Sequence, residues 1–140
     1  MAMEKTIVLI KPEAFAKKHV GDIIKIYEGQ GFEILAMKML QMDEKIASKH
    51  YEEHIGRPYY PGLIEFMTSA PLVAIVLRGE DAIARIRALH GKTKLSEAAE
   101  GTIRKMYAES DNHNAVHASD CPENAAREIA IFFNATEIYE

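Results

Sequence analysis

Near its C-terminus the chain reads Asn114-Ala115-Val116-His117-Ala118-Ser119-Asp120, which sets an imidazole where a short apolar run meets a helix-start signal. A histidine in that place can be a packed core residue, a metal ligand or a nucleophile. Neutral imidazole has an unperturbed pKa near ~6.5, so at physiological pH most of it is unprotonated and able to attack an electrophile. A helix beginning just after it turns free N–H groups and a positive dipole end toward a phosphate. Strand end, histidine and helix start together suit a phosphohistidine site. Taken alone, His117 leaves all three readings open.

Cations stand where the regular patterns stop. Lys11 closes the first apolar run, Arg57 lies in a Gly/Pro break, Arg87 is near the end of a helical pattern, and Lys92 and Arg104 fall in an irregular stretch. An arginine fork grips phosphate oxygens in a bidentate way, and lysine adds a compact point charge. If the fold gathers Lys11, Arg87 and Arg104, they make a polyphosphate site; if it does not, they are separate solvated charges. A second pattern competes. His50-Tyr51-Glu52-Glu53-His54 fits H-x-x-E-H, whose two histidines would share one face of a helix and could ligate zinc. No third ligand is evident, and that face must pack or line a cleft, so His50 and His54 read as packing residues.

These groups need elements to hold them. Thr6–Ile10, ended by Lys11-Pro12, reads as a buried strand, and Pro12 suits the first turn of a short helix. Val20, Ile23, Ile24 and Tyr27 keep helical spacing until Gly29 and Gly31. Phe32–Leu40 has strand character, with helix as the alternative because of its methionines and leucines. Asp43 can cap a helix that carries Ile46, Ala47, His50, Tyr51 and His54 along one side. Leu63–Met67 suits a short helix, Leu72–Leu77 a buried strand, and Ile83, Ile86 and Leu89 a helix stopped at Gly91. The irregular stretch from Gly91 to Asn114 is long for a loop in a compact domain, which favours a functional role. Ala115–Ala118 is a short last strand, and Asp120 with Glu123 forms a D-x-x-E start for a final helix.

The resulting order is that of a ferredoxin-like βαββαβ α+β fold. It has a mainly antiparallel four-stranded sheet, a helical insert, a C-terminal helix, and helices expected on one face. The 140 residues, 48% hydrophobic and 27% charged, suit a single domain over 1–140. No apolar run approaches the ~20 residues of a membrane span. The first residues lack the apolar region of a signal peptide, and the one cysteine, Cys121, fits a reducing compartment, so a cytoplasmic chain is expected. A net charge of −4 argues against a broad nucleic-acid face, so any polyanion must meet a local cluster of cations.

Five stretches occurring in order are together specific: Lys11-Pro12-Glu13-Ala14, Arg57-Pro58-Tyr59-Tyr60, Glu65-Phe66-Met67-Thr68-Ser69, Gly101-Thr102-Ile103-Arg104, and Asn114 through Asp120. On these the chain resembles the nucleoside diphosphate kinases in their short bacterial form, over almost its whole length. The resemblance implies a ping-pong transfer of the γ-phosphate of a nucleoside triphosphate, through the histidine, to a nucleoside diphosphate. It casts His117 as the phosphorylated nucleophile, Glu128 as the carboxylate that orients it, Ser119 as support, and Tyr51 as the tyrosine beside it. Lys11 is cast as the contact to the moving phosphate and the sugar. Arg87, Thr93 and Arg104 become the phosphate grip, Asn114 the ribose contact, and Tyr59 the stacking ring where the family has phenylalanine. It further implies Mg²⁺ carried on the phosphates, broad base specificity, and a homo-oligomer, tetramer or hexamer. A nucleotide-binding regulatory scaffold without transfer is the alternative. Departures from the family pattern are Ala118 for a glycine, Glu13 for an aspartate, no proline after Thr93, Met106 for an acidic residue, and His90 at an often apolar position.

Overall fold

The computed structural model describes residues 2–140. Four strands, β1 (Met3–Ile10), β2 (Glu33–Leu40), β3 (Leu72–Glu80) and β4 (Val116–Ala118), form one sheet in the order β2-β3-β1-β4. Every neighbouring pair is antiparallel. Helices α1 (Pro12–Ala16) and α2 (Val20–Gly29) join β1 to β2. Helices α3 (Glu44–His50) and α4 (Tyr60–Met67) lie between β2 and β3. After β3 come α5 (Ala82–His90) and α6 (Ile103–Tyr107), and after β4 comes α7 (Pro122–Phe132). This is the ferredoxin-like order the sequence predicts. Phe32–Leu40 resolves as a strand because pairing to β3 outweighs the helix propensity of its methionines.

Helices cover both faces of the sheet, against the expectation of one. Val8, Ile10, Ile75 and Leu77 pack with Ile23 and Tyr27 of α2 and Ile86 of α5. Ile7, Leu9, Ala74 and Val76 pack with Ala47 of α3, Met67 of α4 and Phe132 of α7. The physical reason is visible in β1, where Ile7 to Ile10 are all fully buried. A strand apolar on both sides cannot leave either side to water. The insert and the final helix therefore close the second face.

Other departures are local. The helix expected to run through His54 stops at His50, and a single 3₁₀ turn, Glu52–His54, follows. Asp43 does cap α3, its Oδ1 accepting the Ile46 N–H at 2.8 Å. The final helix starts at Pro122 with Cys121 as its N-cap, so Asp120 lies outside it and accepts instead from the Asn124 side chain at 2.6 Å. Proline at the first helical position moves the cap one residue along. The irregular stretch contains a 3₁₀ turn, Leu95–Glu97, and α6. Gly91, at φ +87, turns the chain out of α5 where a Cβ would stand 2.7 Å from Thr102, so only glycine fits. His90 is buried with its Nε2 2.6 Å from the buried Tyr27 hydroxyl, which partners one of its two ring nitrogens at an otherwise apolar position.

Candidate active site

The site is built where β1 and β4 end side by side. In β4, alternation sends Val116 and Ala118 into the core shared with α2, α5 and α6, and turns His117 toward α3 and α7. The methyl of Ala118 thus joins the core on the side away from the imidazole. Its backbone is also outside the positive-φ region that would demand glycine. Ahead of β4, Ala115 takes φ 73. Its N–H donates to Glu13 Oε1 at 2.8 Å while its carbonyl accepts from Lys11 N–H at 2.8 Å, so the first turn of α1 holds the approach to the histidine.

His117 Nε2 lies 2.5 Å from Glu128 Oε1, and the Ser119 hydroxyl donates to Glu128 Oε2 at 2.8 Å. Burial pushes the Glu128 carboxyl upward, but the hydrogen bonds and charge of His117, with help from His50 and Ser119, outweigh it and hold the group below its usual range. Glu128 is therefore ionised at neutral pH. It accepts from the Nε2–H of His117 and leaves Nδ1 with its lone pair.

Cations gather opposite. Lys11 Nζ donates to Asn114 Oδ1 at 2.7 Å, and burial, then the charge of Arg104, lowers its pKa to about 8. Asn114 is fixed in turn by donating to the Thr93 carbonyl at 3.0 Å. Arg104, on α6, donates to the carbonyls of Gly91 and Val116, each at 2.8 Å, which leaves the second hydrogen of each terminal nitrogen free. Burial and Arg87 lower its pKa to about 10, so it stays charged at neutral pH. Arg87 reaches the Ala118 carbonyl from the end of α5. Lys11, Tyr51, Arg87, Thr93, Arg104, Asn114, His117 and Glu128 all line one cavity of about 220 Å³. The fold thus gathers Lys11, Arg87 and Arg104 on the wall of one cavity. Tyr59 stands apart, on the wall of an adjoining cleft of about 430 Å³ with Leu63, Phe66 and His113.

The zinc-protease spacing does not survive folding. With α3 ending at His50, His54 no longer shares a helix face with it; it stays on the cavity wall, and its Nδ1 meets the Tyr59 hydroxyl at 2.6 Å. His50 instead enters the site, its ring 4.7 Å from that of His117 and nearly perpendicular to it. The sequence reads His50 as a packing residue on a face that must pack or line a cleft; it is buried and also lines the cavity. His50, His117 and Glu128 present donor atoms within 4.8 Å of one another, but both Glu128 oxygens are already engaged by His117 and Ser119. Asp120, Asn124 and Arg127, on the same wall, were also not read as site residues.

His50 has no hydrogen-bond partner on either ring nitrogen, and burial, with the neighbouring His117, lowers its pKa to about 3. It is neutral beside Glu128, so the 3.4 Å approach of the two is not an ion pair at neutral pH. The unfolded chain binds a proton on this residue below ~6.5 that the native state refuses, so stability falls as pH drops from ~6.5 toward about 3. Replacing His50 with leucine is expected to flatten the loss of unfolding free energy between pH 6 and 4 by about 1.4 kcal/mol per pH unit. Denaturant melts across that range check it, and parallel profiles for the two proteins would contradict it.

A family model described as nucleoside diphosphate kinase matches residues 4–138. The chain belongs to the nucleoside diphosphate kinase family. The nucleoside diphosphate kinase of Cutibacterium acnes is 52% identical over 130 residues, covering 93% of this chain and 94% of that one. That of Methanocaldococcus jannaschii is 47% identical over 137 residues, covering 98% of each chain. Among solved structures, the Aquifex aeolicus nucleoside diphosphate kinase superposes with a TM-score of 0.94 at 40% identity, covering 98% of this chain and 99% of the other. A Halobacterium salinarum nucleoside diphosphate kinase in complex with CDP reaches 0.95 at 38% identity, covering 99% and 93%. Nucleoside diphosphate kinases are thus its relatives in sequence and its neighbours in fold, along nearly the whole chain.

Proposed function

We propose that the protein is a phosphotransferase that moves the γ-phosphate of a nucleoside triphosphate to a nucleoside diphosphate, with His117 Nδ1 as the relay. The observation that carries this is the commitment of His117 Nε2 to an ionised Glu128, across a small cavity from Lys11, Arg87 and Arg104. Nδ1 attacks the γ-phosphorus, the bond to the bridging oxygen breaks, and the nucleoside diphosphate departs. A second diphosphate then takes the phosphoryl group from Nδ1 by the reverse displacement. As Nδ1 bonds to phosphorus the ring becomes cationic, and Glu128 stabilises that charge through Nε2–H, with Ser119 holding the carboxylate in place. The three cations and Thr93 take the charge on the equatorial oxygens, which is most of what phosphoryl transfer asks of a protein. Tyr51 packs behind His50 and the relay, and Asn114, bound to Lys11, faces the sugar.

Tyr59 serves as the stacking face for the base. Every base offers a π-face, so broad base specificity follows. Mg²⁺ carried on the substrate's phosphates would neutralise part of their charge. The residues fit that arrangement: both Glu128 oxygens are engaged, and Glu53 and Asp120 are the wall carboxylates that would face an ion brought in on the nucleotide. The protein works as one domain in the cytoplasm and as a homo-oligomer of four or six chains. The outer edge of β2, met by the C-terminal segment where Tyr139 N–H donates to the Leu35 carbonyl, carries exposed Met37 and Met39 and supports assembly. Among the described residues no helix is long and apolar enough to cross a membrane.

The test is intact-protein mass spectrometry after mixing with excess ATP and Mg²⁺. A phosphate adduct that disappears on adding GDP, as GTP forms, is expected. Transfer from ATP to GDP without any adduct would replace the relay by direct displacement.

A further inference from the structure

The resemblance leaves one contact at the mouth of the site without a role. His54 Nδ1 lies 2.6 Å from the Tyr59 hydroxyl, and the two rings stand 5.6 Å apart. The hydroxyl is what this chain adds where the family has phenylalanine, and His54 is its partner. We propose that His54 is a positioning residue for the substrate's base: through the Tyr59 hydroxyl it holds the ring on which the base stacks. The proposal rests on the stacking role given to Tyr59 above.

Tyr59 needs holding. It is 53% exposed and sits on the short connection between the 3₁₀ turn and α4, three residues after Gly56 at φ +89. A half-exposed ring on such a connection samples several rotamers, and a base that stacks on it must freeze them. The bond to His54 freezes them beforehand. His54 is itself well placed to serve as an anchor. Its N–H donates to the Tyr51 carbonyl at 2.9 Å, and its own carbonyl accepts from Arg57 N–H at 3.1 Å. Its ring lines the phosphate cavity while its partner lines the cleft beside it, so one side chain ties the two together. The rings of His117, His50, Tyr51, His54 and Tyr59 follow one another at 4.7, 4.4, 6.0 and 5.6 Å, a continuous file from the relay to the stacking face. Either tautomer of His54 makes the bond, donating from Nδ1 to the phenol oxygen or accepting the phenol hydrogen there.

Steady-state transfer with ADP and GDP as acceptors tests this. His54→Leu is expected to raise KM about 3- to 10-fold for both, the scale of one hydrogen bond to a neutral group, with kcat unchanged. Tyr59→Phe is expected to do the same, and the double variant no more than either single one. His54→Asn, which places an amide where Nδ1 stood, is expected to restore most of the affinity. Unchanged KM in both His54→Leu and Tyr59→Phe, or a fall in kcat that His54→Asn does not reverse, overturns the proposal. Tyr59→Ala separates it from its premise. A raised KM there with both other variants normal removes only the role of His54, whereas a normal KM in Tyr59→Ala removes the stacking role and this inference with it.

Discussion

Replacing His117 with alanine is expected to lower phosphate transfer by on the order of 10⁴-fold or more, and to abolish the phosphate adduct on the protein. Losing a covalent relay costs far more than losing a binding contact, because no other group can split the reaction into two displacements. His50 cannot substitute. Its ring is buried beside His117, and neither of its nitrogens has a hydrogen-bond partner, so no carboxylate orients it as Glu128 orients His117. Binding of a nucleoside diphosphate should survive nearly intact, since Lys11, Arg87, Arg104 and Thr93 are untouched and the lost ring is only part of the cavity wall. Calorimetric titration with ADP and Mg²⁺, alongside the transfer assay, separates the two effects. Binding lost together with transfer would mean that His117 shapes the site rather than relaying phosphate.

The second large effect belongs to Lys11. Lys11→Ala is expected to lower kcat/KM by ~10²- to 10³-fold, the usual cost of removing one preorganised donor from a phosphoryl or oxyanion site. A distinctive pH signature comes with it. Burial and Arg104 hold the free enzyme's Lys11 near a pKa of about 8. The cation is present below that value and lost above it, so kcat/KM of the wild type should fall as pH rises through about 8. A bound polyphosphate favours the charged lysine, so the limb in kcat should lie at higher pH than the limb in kcat/KM. In Lys11→Ala the limb near pH 8 should vanish, leaving a lower and flatter profile. A limb that persists unchanged in the variant would assign the titration to another group. The side chain's bond to Asn114 gives a structural check, because Asn114 keeps its bond to the Thr93 carbonyl when the lysine is gone.

Much of this was legible in the chain. The apolar runs at Thr6–Ile10 and Leu72–Leu77, the helical spacing of Val20 to Tyr27, and the cap at Asp43 are local signals, carried by residues close in sequence, and they became β1, β3, α2 and α3. The five ordered motifs pointed to the family that the matches then showed. Other features depend on partners far away in sequence. Whether Lys11, Arg87 and Arg104 are one site or three charges is decided by β1 and β4 pairing side by side and by α5 and α6 folding back over them. The end of α3 at His50 is decided by the 3₁₀ turn that sends His54 to Tyr59, which undid the zinc spacing and freed His50 for the site. Covering of the second sheet face was written in the unbroken burial of Ile7 to Ile10, yet only packing shows that α3, α4 and α7 do it.

The sequence by itself therefore determined most of the elements, their order and a set of residues able to do phosphate chemistry, because propensity, periodicity and motif spacing act within a few residues. Tertiary structure alone decided which nitrogen of His117 is free, that His50 stays neutral against Glu128, and that Lys11 titrates near 8. Those properties come from desolvation and from charges brought within a few ångströms, and both exist only once the chain has closed around them.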